Sequence, residues 1–119
     1  MHRIRVLSAA ILLLTVPTFA ADLLPEPVTP VSHGISAADQ PTVTRCNEAI
    51  AQWASQYNPV SIETSLTEPV SAGEGGARTA TLAVKIDYLR QGGIEPRSAT
   101  IACTVTADGE VSVELIKQG

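Results

Sequence analysis

The chain is 119 residues long and 45% hydrophobic, with 8 basic and 12 acidic side chains and a net charge of −4. That length allows one small domain, and an acidic balance with scattered basic residues argues against nucleic acid or anionic lipid as partners. Two cysteines are too few for a structural zinc site, and their wide separation excludes a C-x-x-C redox motif.

Residues 1–20 read as a secretory signal peptide. Arg3 and Arg5 form a basic start, Val6 to Val16 an apolar run, and Pro17-Thr18-Phe19-Ala20-Ala21 a small-residue cleavage region. The apolar run falls short of the roughly 20 residues that span a bilayer, so no membrane insertion is expected once the leader is removed. A twin-arginine pair and a cysteine at the cleavage region, the marks of other export routes, are both absent. Cleavage after Ala20 or Ala21 predicts a periplasmic or secreted protein. It would remove Arg3 and Arg5 and no acidic residue, leaving 6 basic against 12 acidic side chains. In an oxidising compartment Cys46 and Cys103 are then expected to form one disulfide.

Residues 21–41 hold Pro25, Pro27, Pro30 and Pro41 among small polar residues, and Leu23, Leu24, Val28, Val31 and Ile35 recur without a period. This composition predicts an extended tether. His33, the one histidine outside the leader, falls in it and reads as a solvated side chain.

Residues 42–119 are expected to fold as a helix followed by a sheet. A helix is predicted from Val43 or Thr44 to Tyr57, capped by Thr42 or Thr44 and stopped by Asn58-Pro59. Cys46, Ile50, Trp53 and Tyr57 recur at steps of four, three and four, which makes one apolar stripe. That places Cys46 on the buried face and assigns Trp53 to the core. Val60–Thr67 reads as a first strand and an edge. Residues 68–77, with Gly73, Gly75 and Gly76, read as a mobile loop. It is not a phosphate loop, because no Gly-Lys-Ser/Thr and no helix follow. Thr79–Arg90 is the longest strand, with Ala80, Leu82, Val84, Ile86 and Tyr88 facing in, and Gln91–Pro96 connects it to a hairpin.

The hairpin Arg97–Lys117 alternates on both arms around Asp108-Gly109. A two-residue turn would set Cys103 opposite Glu114 and bring polar groups to the core face. A three-residue loop, Ala107-Asp108-Gly109, instead pairs Val105 with Val111, Cys103 with Val113 and Ile101 with Leu115. Gly109 then takes the left-handed position of a bulge. The predicted fold is α+β: one amphipathic helix on one face of a four-stranded antiparallel meander, stapled by Cys46–Cys103.

No catalytic motif is present, and no cofactor or metal site is expected. With His33 in a tether, a Ser-His-Asp or Cys-His mechanism has no base in the folded part. Glu63, Asp87, Glu110 and Glu114 fall on the solvent face of strands or in a turn. The outer sheet face carries Ser61, Ser65, Thr67, Thr79, Thr81, Thr100, Thr104, Thr106 and Ser112. Threonine combines strand propensity with polarity, so this face reads as solvated, although a flat hydroxyl-rich surface also suits recognition. These observations point to a non-enzymatic binding module that acts by protein contact, such as an inhibitor, immunity-type or accessory protein. Its partner would be another protein or a second copy met through a strand edge. The alternative is a small-molecule-binding domain or weak hydrolase with a pocket between helix and sheet, near Trp53, Tyr57 and Tyr88.

Overall fold

The computed structural model describes residues 27–119; the expected leader and the start of the proline-rich stretch lie outside the described residues. A short strand β1 (Val31–His33) leads into a helix α1 (Gln40–Ala54), which runs on through a 3-10 turn at Ser55–Tyr57. Five further strands follow: β2 (Pro59–Leu66), β3 (Ser71–Ala72), β4 (Arg78–Arg90), β5 (Gly93–Val105) and β6 (Val111–Gln118). The sheet order is β1-β2-β4-β5-β6, with β3 paired to β4. All neighbours are antiparallel except β1 and β2, which run parallel.

The expected meander of β2, β4, β5 and β6 is present, but the sheet has six strands rather than four. The two additions are short and come from stretches without hydrophobic period. β3 forms inside the expected 68–77 loop and pairs Ser71 with Thr79. β1 forms within the expected tether and pairs Ser32 with Thr64. A polar cluster fastens it: the Ser32 and Thr64 hydroxyls are 2.6 Å apart, Asn47 Nδ2 donates to Ser32 Oγ at 2.7 Å, and Thr64 Oγ1 donates to Asn47 Oδ1 at 3.0 Å. Thr64 is fully buried, and mutual satisfaction removes the desolvation cost of burying its hydroxyl.

The helix starts earlier than the capping threonines suggest. Asp39 is the N-cap residue and Pro41 lies in the first turn, where proline lacks only an N–H that has no intrahelical partner. Thr42 is buried rather than capping. At the other end Asn58 takes the left-handed conformation at φ 57° and Pro59 starts β2. The connection after β4 is also shorter than expected. Arg90 already pairs with Gly93, so Ile94, Glu95 and Pro96 belong to β5. β6 ends at Gln118 opposite Ala99, which leaves Pro96 on an outer edge where a missing N–H is tolerated.

The β5–β6 register is the expected one, with Ile101 opposite Leu115, Cys103 opposite Val113 and Val105 opposite Val111. Thr106 N donates to Glu110 O, and Gly109 has φ +91°. A bulge at Ile116 then shifts the pairing so that Thr100 faces Lys117. The core lies between α1 and the inner face of β2, β4 and β5, where Val43, Cys46, Ile50 and Ala54 meet Ile62, Ala80, Leu82, Val84 and Ile101. Cys46 and Cys103 form a disulfide there, both at 0% exposure.

Candidate functional site

One helix cannot cover this sheet. A helix with side chains is about 10–12 Å across, and five strands about 4.8 Å apart span nearly twice that. α1 lies across the inner face of β4 and β5, tied to β5 by the disulfide, and reaches β2 on one side and the start of β6 on the other. On the β1 side, Val28 and Ile35 fill in against the core. On the other side no comparable segment packs over β6 among the described residues. Burial therefore falls away across the sheet: Ile62 and Leu82 are enclosed, Ile101 is 8% exposed, and Val113 and Leu115 on the same inner face are 47% and 54% exposed.

The uncovered part is a trough of about 1100 Å³ between α1 and the inner face of β5 and β6. Its helix wall is Ala49, Ile50, Trp53 and Tyr57; its floor and far wall are Ile86, Ala99, Ile101, Val113 and Leu115. Trp53 is 54% exposed, so the sole tryptophan is not a core residue as expected from the stripe. Its ring lies 5.3 Å from that of Tyr57, which meets the Tyr88 ring edge-on at 6.3 Å. Of the three aromatics expected at a helix–sheet pocket, Tyr88 is buried, Trp53 and Tyr57 are half-exposed, and all three line this trough.

One end of the trough is charged. Inner-face parity along β5 carries Ala99 and Ile101 on to Arg97 and Glu95, and along β4 it carries Tyr88 on to Arg90. Glu95 accepts from both arginines, from Arg90 Nε at 3.0 Å and Arg97 Nη2 at 3.1 Å. Arg90 Nη1 also donates to the Tyr57 carbonyl at 3.0 Å, and its guanidinium lies 4.9 Å from the Tyr88 ring centroid, a cation–π contact. Burial pushes the Tyr88 phenol above the ordinary tyrosine value; Arg90 and Arg97 oppose this and Tyr57 adds to it. Sequence reasoning missed Arg90, Glu95 and Arg97, because Gln91–Pro96 read as a loop. The signal was there: Arg97 and Glu95 continue the alternation of Cys103, Ile101 and Ala99.

The remaining candidates lie elsewhere. His33 sits at the sheet edge in β1 rather than in a free tether, with Nε2 3.8 Å from Glu63 Oε1 and both side chains more than half exposed. They border a hollow of about 230 Å³ on the outer face with Ser65, Lys85 and Ser98. Asp87 accepts from Ser61 Oγ at 3.3 Å, and the Thr79 and Thr104 hydroxyls are 3.0 Å apart across the outer face. Glu110 and Glu114 are exposed. Among the described residues no group of three or more His, Cys, Asp or Glu side chains gathers to hold a metal ion, and no helix is long and apolar enough to cross a membrane. Comparison with protein-family models, curated proteins and solved structures finds no match to this chain.

Proposed function

We propose that this chain is a small exported, non-catalytic binding module that works by protein contact, in the manner of an inhibitor, immunity-type or accessory protein. The observation that carries the reading is β6. Among the described residues it is the last strand of the sheet order, and its inner-face residues Val113 and Leu115 are uncovered. An open edge flanked by alternate apolar side chains is what strand addition requires. Between Val111 and Leu115 there is no proline and no charged residue on the inner face, and the bulge at Ile116 ends the receptive stretch. The disulfide suits an oxidising compartment, and a leader removed after Ala20 would deliver the chain there.

The test is sedimentation of the purified exported protein together with capture from envelope extract, on wild type and on Leu115→Lys. A lysine on the inner face of the edge opposes strand addition. Wild type should retain a protein or associate with a second copy. The variant should lose that association while its unfolding free energy stays within about 0.5 kcal/mol of wild type, as for an exposed site. A wild-type protein that sediments as a monomer and retains nothing removes the reading.

A second reading is a small molecule held between helix and sheet. The trough favours it, with a volume just above the roughly 300–1,000 Å³ of ligand clefts and polar groups gathered at one end.

A further inference from the structure

The trough is graded along its length. Val113 and Leu115 wall it beside Cys103 and Ile101; Trp53 and Tyr57 line the helix side, and Arg90 and Arg97 close the end next to Tyr57 and Tyr88. The two guanidinium groups share a single side-chain carboxylate, Glu95, and Gly119 borders the same end through its N–H bond to the Ser98 carbonyl. Arg97 is 66% exposed, and of its five N–H donors only Nη2 is engaged, by Glu95, among the described residues. The remaining fork matches the two oxygens of a carboxylate.

We propose that the trough binds a free single-chain amphipathic anion, a long-chain carboxylate, with its alkyl chain between Trp53 and Leu115 and its head group on Arg97. The inference rests on the second reading above and names its ligand. Three features select this class. An alkyl chain is narrow and flexible, so it can lie along an open trough whose walls are aromatic rings on one side and aliphatic side chains on the other. The apolar walls offer it few hydrogen-bonding groups, and burial of its methylenes supplies the affinity. The charged end lies at the terminus of the trough, which fixes the direction of binding and favours one anionic head over a neutral or cationic one. A bilayer surface does not fit the same features, because the site is concave.

Trp53, the sole tryptophan, reports on the trough directly. The protein as purified from its producing cell is titrated with dodecanoate below its micelle concentration, and in parallel with 1-dodecanol, dodecyltrimethylammonium and phosphatidylglycerol vesicles. The expected result is a saturable blue shift of Trp53 emission with dodecanoate. Dodecanol should bind on the order of tenfold more weakly, since hydrogen bonds to charged groups are worth about that much. Arg97→Glu should weaken dodecanoate by about tenfold or more, with Arg97→Gln in between. A far-ultraviolet circular dichroism spectrum and thermal midpoint matching wild type show that the variants are folded. Equal affinity for all three head groups overturns the inference and leaves a neutral apolar pocket, so the second reading survives. No shift with any of them overturns both and does not touch the protein-contact reading. A shift seen only with vesicles overturns the inference in favour of surface adsorption.

Discussion

Replacing both Cys46 and Cys103 by alanine removes a cross-link between residues 57 positions apart. In the chain-entropy description, closing a loop of that length costs the unfolded chain about 4 kcal/mol of conformational freedom. Small domains are stable by roughly 5–15 kcal/mol, so the bridge supplies a large part of the margin. Both sulfurs lie at 0% exposure between α1 and β5, and losing them also loosens the contact that holds the helix over the sheet. At about 4–8 °C per kcal/mol for a domain of this size, the midpoint should drop by roughly 16–32 °C. Thermal and urea unfolding of wild type and Cys46→Ala/Cys103→Ala, each followed by circular dichroism, measures this. A midpoint within a few degrees of wild type would refute the reasoning. It would mean that apolar packing alone holds the helix against β5, and that the unfolded chain gains little freedom when the bridge is absent.

Gly109→Ala should cost about 1–2 kcal/mol in urea unfolding, because φ +91° is strained for a side chain and Arg45 Nη2 donates to the Gly109 carbonyl beside it; an unchanged midpoint would mean the turn relaxes freely. Thr64→Val should cost about 1–3 kcal/mol and speed amide exchange in β1, since it removes the hydroxyl that bonds both Ser32 and Asn47. If β1 exchange is unaltered, that cluster does not hold the strand. In Tyr57→Phe the one tyrosine left is Tyr88, and its ultraviolet titration should lie above that of free tyrosine. The folded state then favours the neutral phenol, so stability is full below the unfolded tyrosine value of about 10 and declines as pH rises through the higher folded value. A titration at or below the free value would contradict the burial of Tyr88.

The parts legible in the sequence were those governed by local alternation. The polarity of Val111, Val113 and Leu115 against Ser112 and Glu114 admits one register with Ile101 and Cys103, and Asp108-Gly109 supplies the turn it needs. The disulfide follows because Cys46 and Cys103 fall on the two faces that must meet. The rest depended on extent rather than period. The stripe of Cys46, Ile50, Trp53 and Tyr57 shows which side of the helix points to the sheet, but it does not show how far the sheet reaches past the helix. Cys46 and Ile50 are enclosed, while Trp53 and Tyr57 stand over an uncovered floor. Pro96 hid the continuation of β5, and with it the placing of Glu95 and Arg97 on the inner face. β1 is three residues long, too short for any alternation, and it is held by a polar cluster spread over Ser32, Asn47 and Thr64.

The account turns on the trough beside α1 being open in the free protein and closed over when a partner or ligand binds. Acrylamide quenching of Trp53 measures this, on protein dilute enough to sediment as a monomer and then with the bound species added. The expected result is a red-shifted, readily quenched emission in the free monomer that turns blue and protected on binding. Blue, unquenchable emission from the free monomer would mean that the trough is already filled, and would contradict the account.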